Sequence, residues 1–322
     1  MKTVLVYLSY TGNTKILGEA IRKGILATGT ECDFVSLRKT DPESLQPYDL
    51  IGIGSPVRLG TLPAELKNFI VNMNFLAGKH CFVFNTHAAL PVNFMRHCVQ
   101  ALTEQGLKVI GFKDWYCSVF LPYVPKPYFT DGHPDEIDLQ EAEEFGKEII
   151  ERSDKIRQGA DFLIQKLPEG KEYEEIYGGA LSGGVLPIEV MQARAQGFKI
   201  DLEKCTRCGF CESLCPTNSI DFSSDPPVFR KCDQCWLCEQ TCPAGAIFFN
   251  YPPLHRSHNE VVKRGFVPHL RAASAAGRFR QLVRDEDIGW DTPLFKIKNP
   301  PRFKLVDEEY YWQKAKVRKH QI

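Results

Sequence analysis

Along the first 112 residues, strand-length apolar runs take turns with longer amphipathic stretches. TVLVYLS (3–9), CDFVSL (32–37), YDLIGIG (48–54), KHCFVFNT (79–86) and LKVIGF (107–112) are short and rich in β-branched and aromatic residues, the pattern of buried strands. Between them, KILGEAIRKGIL (15–26), LPAELKNFIVNM (62–73) and VNFMRHCVQALTEQ (92–105) repeat their apolar positions at helical spacing. Strands that alternate with helices pair in parallel and are covered on both faces, so the pattern predicts an α/β fold with a doubly wound parallel sheet. A further stretch, 137–167, is charged on one face and apolar at helical spacing, and reads as the last helix of this domain, which ends near residue 166.

The pattern then changes. YGGALSGGVLP (177–187) holds four glycines, and the region 167–196 reads as an interdomain linker. Residues 197–254 have no long periodic segment but hold eight of the twelve cysteines. CTRCGFCESLCP places Cys205, Cys208 and Cys211 three apart, with Cys215 four further on and Pro216 behind it. KCDQCWLCEQTCPAGAI repeats the spacing with Cys232, Cys235, Cys238 and Cys242.

Two copies of C-x2-C-x2-C-x3-C-P form the arrangement in which three cysteines hold one cubane and the fourth crosses to the other. The spacing therefore predicts one [4Fe-4S] cluster on Cys205, Cys208, Cys211 and Cys242, and a second on Cys232, Cys235, Cys238 and Cys215. Iron in a sulfide cubane is satisfied by soft anionic sulfur, and an i, i+3, i+6 loop turns three thiolates toward one cube. Ile200, Phe210, Ile220, Trp236, Ile247 and Phe248 are expected to keep water from the clusters. The competing reading is a pair of structural zinc sites, whose C-x2-C pairs usually lie far apart. Cys32, Cys81, Cys98 and Cys117 lack ligand spacing and read as small buried hydrophobes.

A chain of 322 residues with 43% hydrophobic composition suits two globular domains. Its apolar runs fall short of the ~18 residues a membrane helix needs. MKTVLVYLSYTGNTK reads as a first strand rather than a signal segment, and cluster cysteines need a reducing compartment, so the expected location is cytoplasmic. The extension 255–322 carries 15 Lys and Arg against 8 Asp and Glu, although the whole chain balances at 40 and 40. It reads as a segment that wraps its own domains or docks on an acidic redox partner protein; no nucleic-acid module accompanies it. RAASAAGRFRQLVRD (271–285) has a helical pattern, DTPLFKIKNPPRFKLVDEEYYW (291–312) an extended one, and His255 and His258 read as surface residues.

The loop SYTGNT ends the first strand with the aliphatic hydroxyls of Ser9, Thr11 and Thr14, a glycine and an asparagine, and the following helix N-terminus suits a phosphate. It lacks the lysine of a P-loop, which disfavours nucleotide hydrolysis. GIGSPV fails as a dinucleotide fingerprint because Val57 stands where a third glycine would open a helix.

These motifs carry a resemblance. SYTGNT, GSPVRLGTLP (54–63) and NTHAAL (85–90) follow the first, third and fourth strands, as the FMN-binding loops of flavodoxins do, and CPTNSI and CPAGAI close two halves similar to a clostridial-type ferredoxin. To about residue 255 the chain resembles the flavodoxin-ferredoxin fusion proteins often labelled EFR1-type ferredoxins. The resemblance implies a five-stranded sheet of order 2-1-3-4-5 with FMN at the switch point, followed by an α+β two-cluster ferredoxin-like domain. It implies that Ser9, Tyr10, Thr11, Gly12, Asn13 and Thr14 hold the FMN phosphate. Ser55, Pro56, Val57, Arg58, Leu59 and Gly60, with Thr86, His87, Ala88 and Ala89, would approach the ring. Where flavodoxins offer stacking aromatics, these loops offer Arg58, Leu59, His87 and Leu90, which leaves Tyr116, Tyr123 or an element from the ferredoxin half to cover the flavin.

The expected function is electron transfer between FMN, two clusters and a partner oxidoreductase. Two alternatives stand beside it: an FMN-dependent reductase acting on a small molecule, and a redox-complex subunit without flavin. Oligomeric state is not legible.

Overall fold

The computed structural model describes residues 1–119, 121–178, 198–230, 232, 234–249, 251–291 and 308–319. Its first five strands, β1 (Lys2–Tyr7), β2 (Glu31–Ser36), β3 (Leu50–Pro56), β4 (His80–His87) and β5 (Lys108–Tyr116), form one parallel sheet of order β2-β1-β3-β4-β5. All eight residues of the interior strand β4 are buried, whereas the edge strand β2 alternates. That difference follows from helices covering both faces of a parallel sheet while its edge meets solvent.

Helix α1 (Asn13–Ala27) joins β1 to β2, α2 (Ala64–Ile70) follows β3, and α3 (Phe94–Glu104) follows β4. After β5, α4 (Glu136–Arg157) lies along α1 and begins in a capping box, Asp135 with Asp138. The core between this helix pair and the sheet contains Leu5, Leu17, Ile21, Phe82, Phe84, Phe145 and Ile149, together with Cys32 and Cys117. Burial of all four cysteines outside the two motifs matches the expectation for them.

The glycines of GIG in β3 have a packing reason. A Cβ on Gly52 would fall 2.5 Å from the Phe82 ring, and one on Gly54 would fall 2.1 Å from the Phe84 ring. Both rings reach across the neighbouring strand and fill the space that a side chain would take.

The described chain divides into two compact units that are not contiguous in sequence. The first takes 1–119, 127–182 and 265–288; the second takes 120–126, 183–264 and 289–322. Within the span expected to link domains, α5 (Gly170–Tyr177) is a packed helix of the first unit. Tyr173 is fully buried and its hydroxyl donates to the Val92 carbonyl at 2.8 Å. The linker glycines Gly179, Gly183 and Gly184 lie outside the described residues.

In the second unit, β6 (Lys199–Ile200) pairs antiparallel with β9 (Ile247–Phe248), and β7 (Ile220–Asp221) with β8 (Val228–Phe229). The one-turn helices α6 (Phe210–Leu214) and α7 (Leu237–Thr241) complete an α+β module. It is continued by α8 (Tyr251–Val261), and α10 (Glu308–Lys319) packs against α6. The first unit receives α9 (Val267–Ala275) from the C-terminal extension.

The extension departs from its sequence pattern in three places. The helix expected over 271–285 stops at Ala275 because Gly277, at φ 71°, turns the chain out of helical geometry. Residues 308–312, expected to be extended, are helical, while 292–307 lie outside the described residues. His255 and His258 are half-buried and partnered rather than fully exposed. Both ring nitrogens of His255 lie 2.9 Å from carbonyls, those of Tyr123 and Trp290, and His258 packs edge-on against Tyr123 at 4.9 Å. Burial pushes His258 down to about 4.

Candidate functional site

The second unit carries a 27-residue repeat that reaches beyond the cysteines, as 205 with 232 and 215 with 242. Three pairs of positions at that interval take left-handed backbone: Arg207 and Gln234, Gly209 and Trp236, Asn218 and Gly245. Gly209 and Trp236 sit at the N-caps of α6 and α7, and Cys215 and Cys242 are their C-caps with nearly identical angles. Trp236 at φ 65° is a conformation that bulky residues seldom adopt. Its ring is 1% exposed and packs on Phe198, Phe249 and Tyr123, and this packing holds the strained backbone.

The fold brings four of the cysteines round one cavity, Cys205, Cys208, Cys211 and Cys242, with Ile200, Phe222, Pro243, Ala246 and Ile247 around them. Burial raises the Cys211 thiol to about 12, and its neighbours Cys208, Cys242 and Cys205 add to the shift. Cys238 is raised first by burial and then by Cys232, Cys211 and Cys215. Crowding anionic sulfurs in an apolar site disfavours thiolates, and a cationic metal core is what offsets that cost.

Backbone N–H groups point at the sulfurs in matching positions. Ser219 donates to Cys215 at 3.1 Å and Ala246 to Cys242 at 3.3 Å, each four residues past its cysteine, and Gln234 donates to Cys232 at 3.3 Å. Such bonds stabilise negative charge on sulfur and tune cluster potentials.

A single zinc ion suits this geometry poorly. Tetrahedral Zn–S bonds of about 2.3 Å bring sulfurs to roughly 3.8 Å from one another. Among the described residues, the only set of three or more potential ligands lying within 4.8 Å of one another is His133, Asp135 and Asp138. No three of the motif sulfurs lie within 4.8 Å of one another, and Cys205, Cys208, Cys211 and Cys242 line a cavity. Of the apolar residues expected to shield them, Phe210, Ile220, Trp236 and Ile247 are buried and Ile200 is half-buried, but Phe248 is 47% exposed. Phe248 follows Ile247 on a strand, and the alternation of side chains turns it outward.

At the carboxyl end of the parallel sheet, the three predicted loops converge. Gly12 adopts φ 105° between β1 and α1, a turn that favours glycine, and its N–H donates to Ser9 Oγ at 3.2 Å. The first turn of α1 holds no acidic residue, so its N-terminal N–H groups and dipole are available to an anion. Thr14 is buried, with Oγ1 2.8 Å from Thr86 Oγ1, which ties the first loop to the third. Asn13 donates to the Ser118 carbonyl at 2.9 Å, fixing the helix start to the segment after β5. Thr11 is half-buried at the loop's edge. Tyr10 is buried, and its hydroxyl lies 3.0 Å from Glu65, so this side chain supports the loop from behind.

In the second loop, Ser55 is buried at the end of β3, and Val57 N–H donates to the Thr86 carbonyl at 2.9 Å. Arg58 and Thr61 exchange backbone bonds around Leu59 and Gly60, at φ 51° and 72°, a tight I′-type turn. In the third loop, His87 Nε2 lies 2.9 Å from Asp114 Oδ2, Ala89 is buried and Ala88 half-buried, and Leu90 packs where a Gly178 side chain would be. The buried Asn85 amide and His87 Nδ1 have no hydrogen-bond partner among the described residues. Leaving such groups unpaired costs about 1–3 kcal/mol each, so they fit a site that receives a polar ligand better than bare core.

Two parts of this site were missed in the sequence. Arg38 forks onto Glu65 at 2.7 and 3.0 Å and donates to the Ser9 carbonyl at 3.3 Å, bracing the first loop. A basic residue after β2 gave no signal, because only the fold brings it under β1. The other is Phe279, whose ring meets Tyr116 at 4.6 Å while Tyr116 meets His87 at 4.5 Å. Tyr123 belongs instead to the second unit, where it packs on Trp236.

Comparison with known proteins agrees with this division. Residues 4–99 match the flavodoxin domain family, and residues 198–221 match the 4Fe-4S binding domain family. An NAD(P)H dehydrogenase (quinone) of Archaeoglobus fulgidus is 27% identical over 188 residues, covering 48% of this chain and 98% of its own. A flavodoxin of Clostridium beijerinckii is 25% identical over 148 residues, covering 45% and 96%. Among solved structures, a flavodoxin from the domain Archaea is 21% identical with a TM-score of 0.39, covering 48% of this chain and 99% of its own. A flavodoxin domain implies FMN and a 4Fe-4S domain implies iron–sulfur clusters, and no helix among the described residues is long and apolar enough to cross a membrane. The chain is thus a fusion of a flavodoxin-like domain with a 4Fe-4S binding domain, the equipment of an electron-transfer flavo-iron-sulfur protein.

Proposed function

We propose that this chain relays electrons between FMN and two [4Fe-4S] clusters, and exchanges them with a partner oxidoreductase. The observation that carries the reading is the cavity where Cys242 joins Cys205, Cys208 and Cys211, in a chain that also builds the three-loop site at the sheet end. The same crossing assigns Cys215 to Cys232, Cys235 and Cys238.

Bound FMN supplies two electrons in single steps, and each cluster carries one, so together they join pair chemistry to one-electron chemistry. The chain's own part is to hold and to insulate. Ser9 to Thr14 bind the phosphate, Ser55 to Gly60 and Thr86 to Ala89 border the ring, and buried Phe210, Ile220 and Ile247 keep water from the sulfurs. The N–H donors from Ser219, Ala246 and Gln234 stabilise the ligated thiolates. The surplus of positive charge in residues 255–322 suits an acidic partner surface, and the reducing conditions that such clusters need suit the cytoplasm.

The reading is tested on anaerobically purified protein. It expects about eight irons and one flavin per chain. Cys242→Ser and Cys215→Ser should each perturb a different cluster in electron paramagnetic resonance spectra. Zinc in place of iron, or identical spectral losses in both variants, would remove the crossed assignment; iron without flavin would point to a redox-complex subunit.

A second reading, an FMN-dependent reductase, draws on the His87–Asp114 pair at the third loop, a candidate proton-handling group. The relative named as a quinone dehydrogenase suggests quinones as its substrate class. Rapid oxidation of the reduced flavin by a quinone, with no partner protein present, would favour it.

A further inference from the structure

The two halves of the second unit share a backbone but not a surface. At the 27-residue interval, Arg207 and Gln234 are both left-handed, as are Gly209 and Trp236, and each loop leads into a one-turn helix. With the backbone alike, a difference in exposure must come from the side chains and from what packs on them. Such a difference runs along the loops. Cys205, Cys208 and Gly209 are half-buried and Thr206 and Arg207 are exposed, whereas Cys232, Gln234, Cys235 and Trp236 are all buried. The crossed ligand sets inherit it. In one, Cys205, Cys208 and Cys242 are half-buried and Cys211 is buried; in the other, Cys232, Cys235 and Cys238 are buried and Cys215 is half-buried.

One pair of equivalent positions shows the cause. Gly209 presents no side chain, and a Cβ there would meet only α10, at 3.9 Å from Ala315 Cβ and from its carbonyl oxygen. Its counterpart Trp236 stands between Cys235 and Cys238, with Phe198 at 4.8 Å, Phe249 at 4.9 Å and Tyr123 at 5.3 Å. Phe198 stacks in turn on Phe229 at 5.3 Å, and Tyr123 meets His258 at 4.9 Å. These rings all belong to the second unit, and together they form a dry cover on the Cys232 loop. The Cys205 motif has the pair of Phe210 and Tyr311 at 6.5 Å, which joins α6 to α10 and leaves Cys205 and Cys208 half-buried.

Resting on the reading of two clusters in this unit, we propose that the two ligand sets have separate duties. The cluster of Cys205, Cys208, Cys211 and Cys242 is the port at which electrons pass to or from a one-electron redox protein outside the chain. The cluster of Cys232, Cys235, Cys238 and Cys215 is interior, and the rings around Trp236 keep an outside carrier from it. Electron tunnelling falls off steeply with distance, so a carrier touching this unit exchanges with the cluster whose ligands reach the surface. One electron crosses and no bond is made or broken: the port cluster is oxidised as the carrier is reduced, or the reverse.

The test is electron paramagnetic resonance power saturation of the full chain, purified anaerobically and reduced with dithionite, with and without a water-soluble dysprosium chelate. The chelate stays outside the protein and speeds the relaxation of those paramagnets it can approach. The parent is expected to show two cluster signals, one relaxing several-fold faster with the chelate and one nearly unaffected. Cys242→Ser should alter the responsive signal and Cys215→Ser the unresponsive one; should one variant lose its iron altogether, the other still makes the assignment. Equal response of both signals overturns the proposal, as does a stronger response from the signal that Cys215→Ser alters. A parent chain with iron for only one cluster overturns the two-cluster reading itself, and this proposal with it.

Discussion

Gly54→Ala tests how tightly the sheet is packed beneath the flavin-binding end. A Cβ at residue 54 would lie 2.1, 2.5 and 2.6 Å from Cζ, Cε2 and Cε1 of Phe84. Carbon atoms rest at about 3.5–4 Å, so the ring must move by roughly 1.5 Å. It has little room. Phe84 is fully buried, and on α1 a Cβ at Gly18 would already stand 3.2 Å from its Cζ. Overpacking of this kind costs about 1–3 kcal/mol, on the order of a ten- to hundredfold shift in the unfolding equilibrium. Phe84 also precedes Asn85, Thr86 and His87, so a displaced ring disturbs the third loop. The assay is urea unfolding of anaerobic protein followed by flavin release, for Gly54→Ala, Phe84→Leu and the double variant. If ring overlap is the cause, Leu makes room for the new methyl, and the double variant should be at least about 1 kcal/mol more stable than the two single effects predict. A Gly54→Ala protein as stable as the parent, or strictly additive effects, would refute the reasoning.

Thr14→Glu puts a carboxylate into the first turn of α1, at a buried position beside Thr86. Repulsion at this range in a partly buried site is about 3 kcal/mol, so FMN affinity should fall by roughly a hundredfold while iron content is unchanged; retained affinity would displace the phosphate site from this loop. A joint at the start of α4 makes the first unit sensitive to pH: His133 Nδ1 lies 2.6 Å from Asp138 and Nε2 2.6 Å from the Arg280 carbonyl. Burial by itself would lower His133, but the Asp138 carboxylate and the Arg280 carbonyl outweigh it and raise its pKa. Its stabilising contribution is therefore complete below its ordinary value near 6.5 and is lost as pH rises through the raised value. Asp135 is held well below the usual carboxylate range, chiefly by Arg280, so its contribution persists above about pH 4 and fades as pH falls. Flavin retention on heating should peak between roughly pH 4 and 7, and His133→Gln should flatten the alkaline side of that curve. A variant profile that parallels the parent's would sever the joint from stability.

The sheet was legible because its signals are local. Period, length and polarity along 3–112 place five strands within a few residues of their positions, and burial on both faces is what makes them continuous apolar runs. That Cys205, Cys208 and Cys211 line one cavity was legible for a related reason, since ligand spacing within a short loop is fixed by backbone geometry. The GIG stretch could be rejected as a dinucleotide fingerprint, but its true reason, making room for Phe82 and Phe84, depends on strands 28 or more residues away in sequence. Trp236 was expected to shield a cluster. That its backbone would be left-handed could not be read from composition, because the ring packing that sustains it comes from Phe198, Phe249 and Tyr123.

By itself, the sequence determined the parallel α/β sheet, the turn at Gly12 and the paired cysteine motifs, since each follows from steric and spacing rules acting over a few neighbouring residues. Tertiary structure alone decided that Arg38 braces the first loop, that Phe279 lies against Tyr116, and that Arg280 belongs to the flavodoxin-like unit. The physical reason is that these contacts join segments up to about 160 residues apart, and only the burial of a shared core selects which of many possible charged and aromatic partners actually meet.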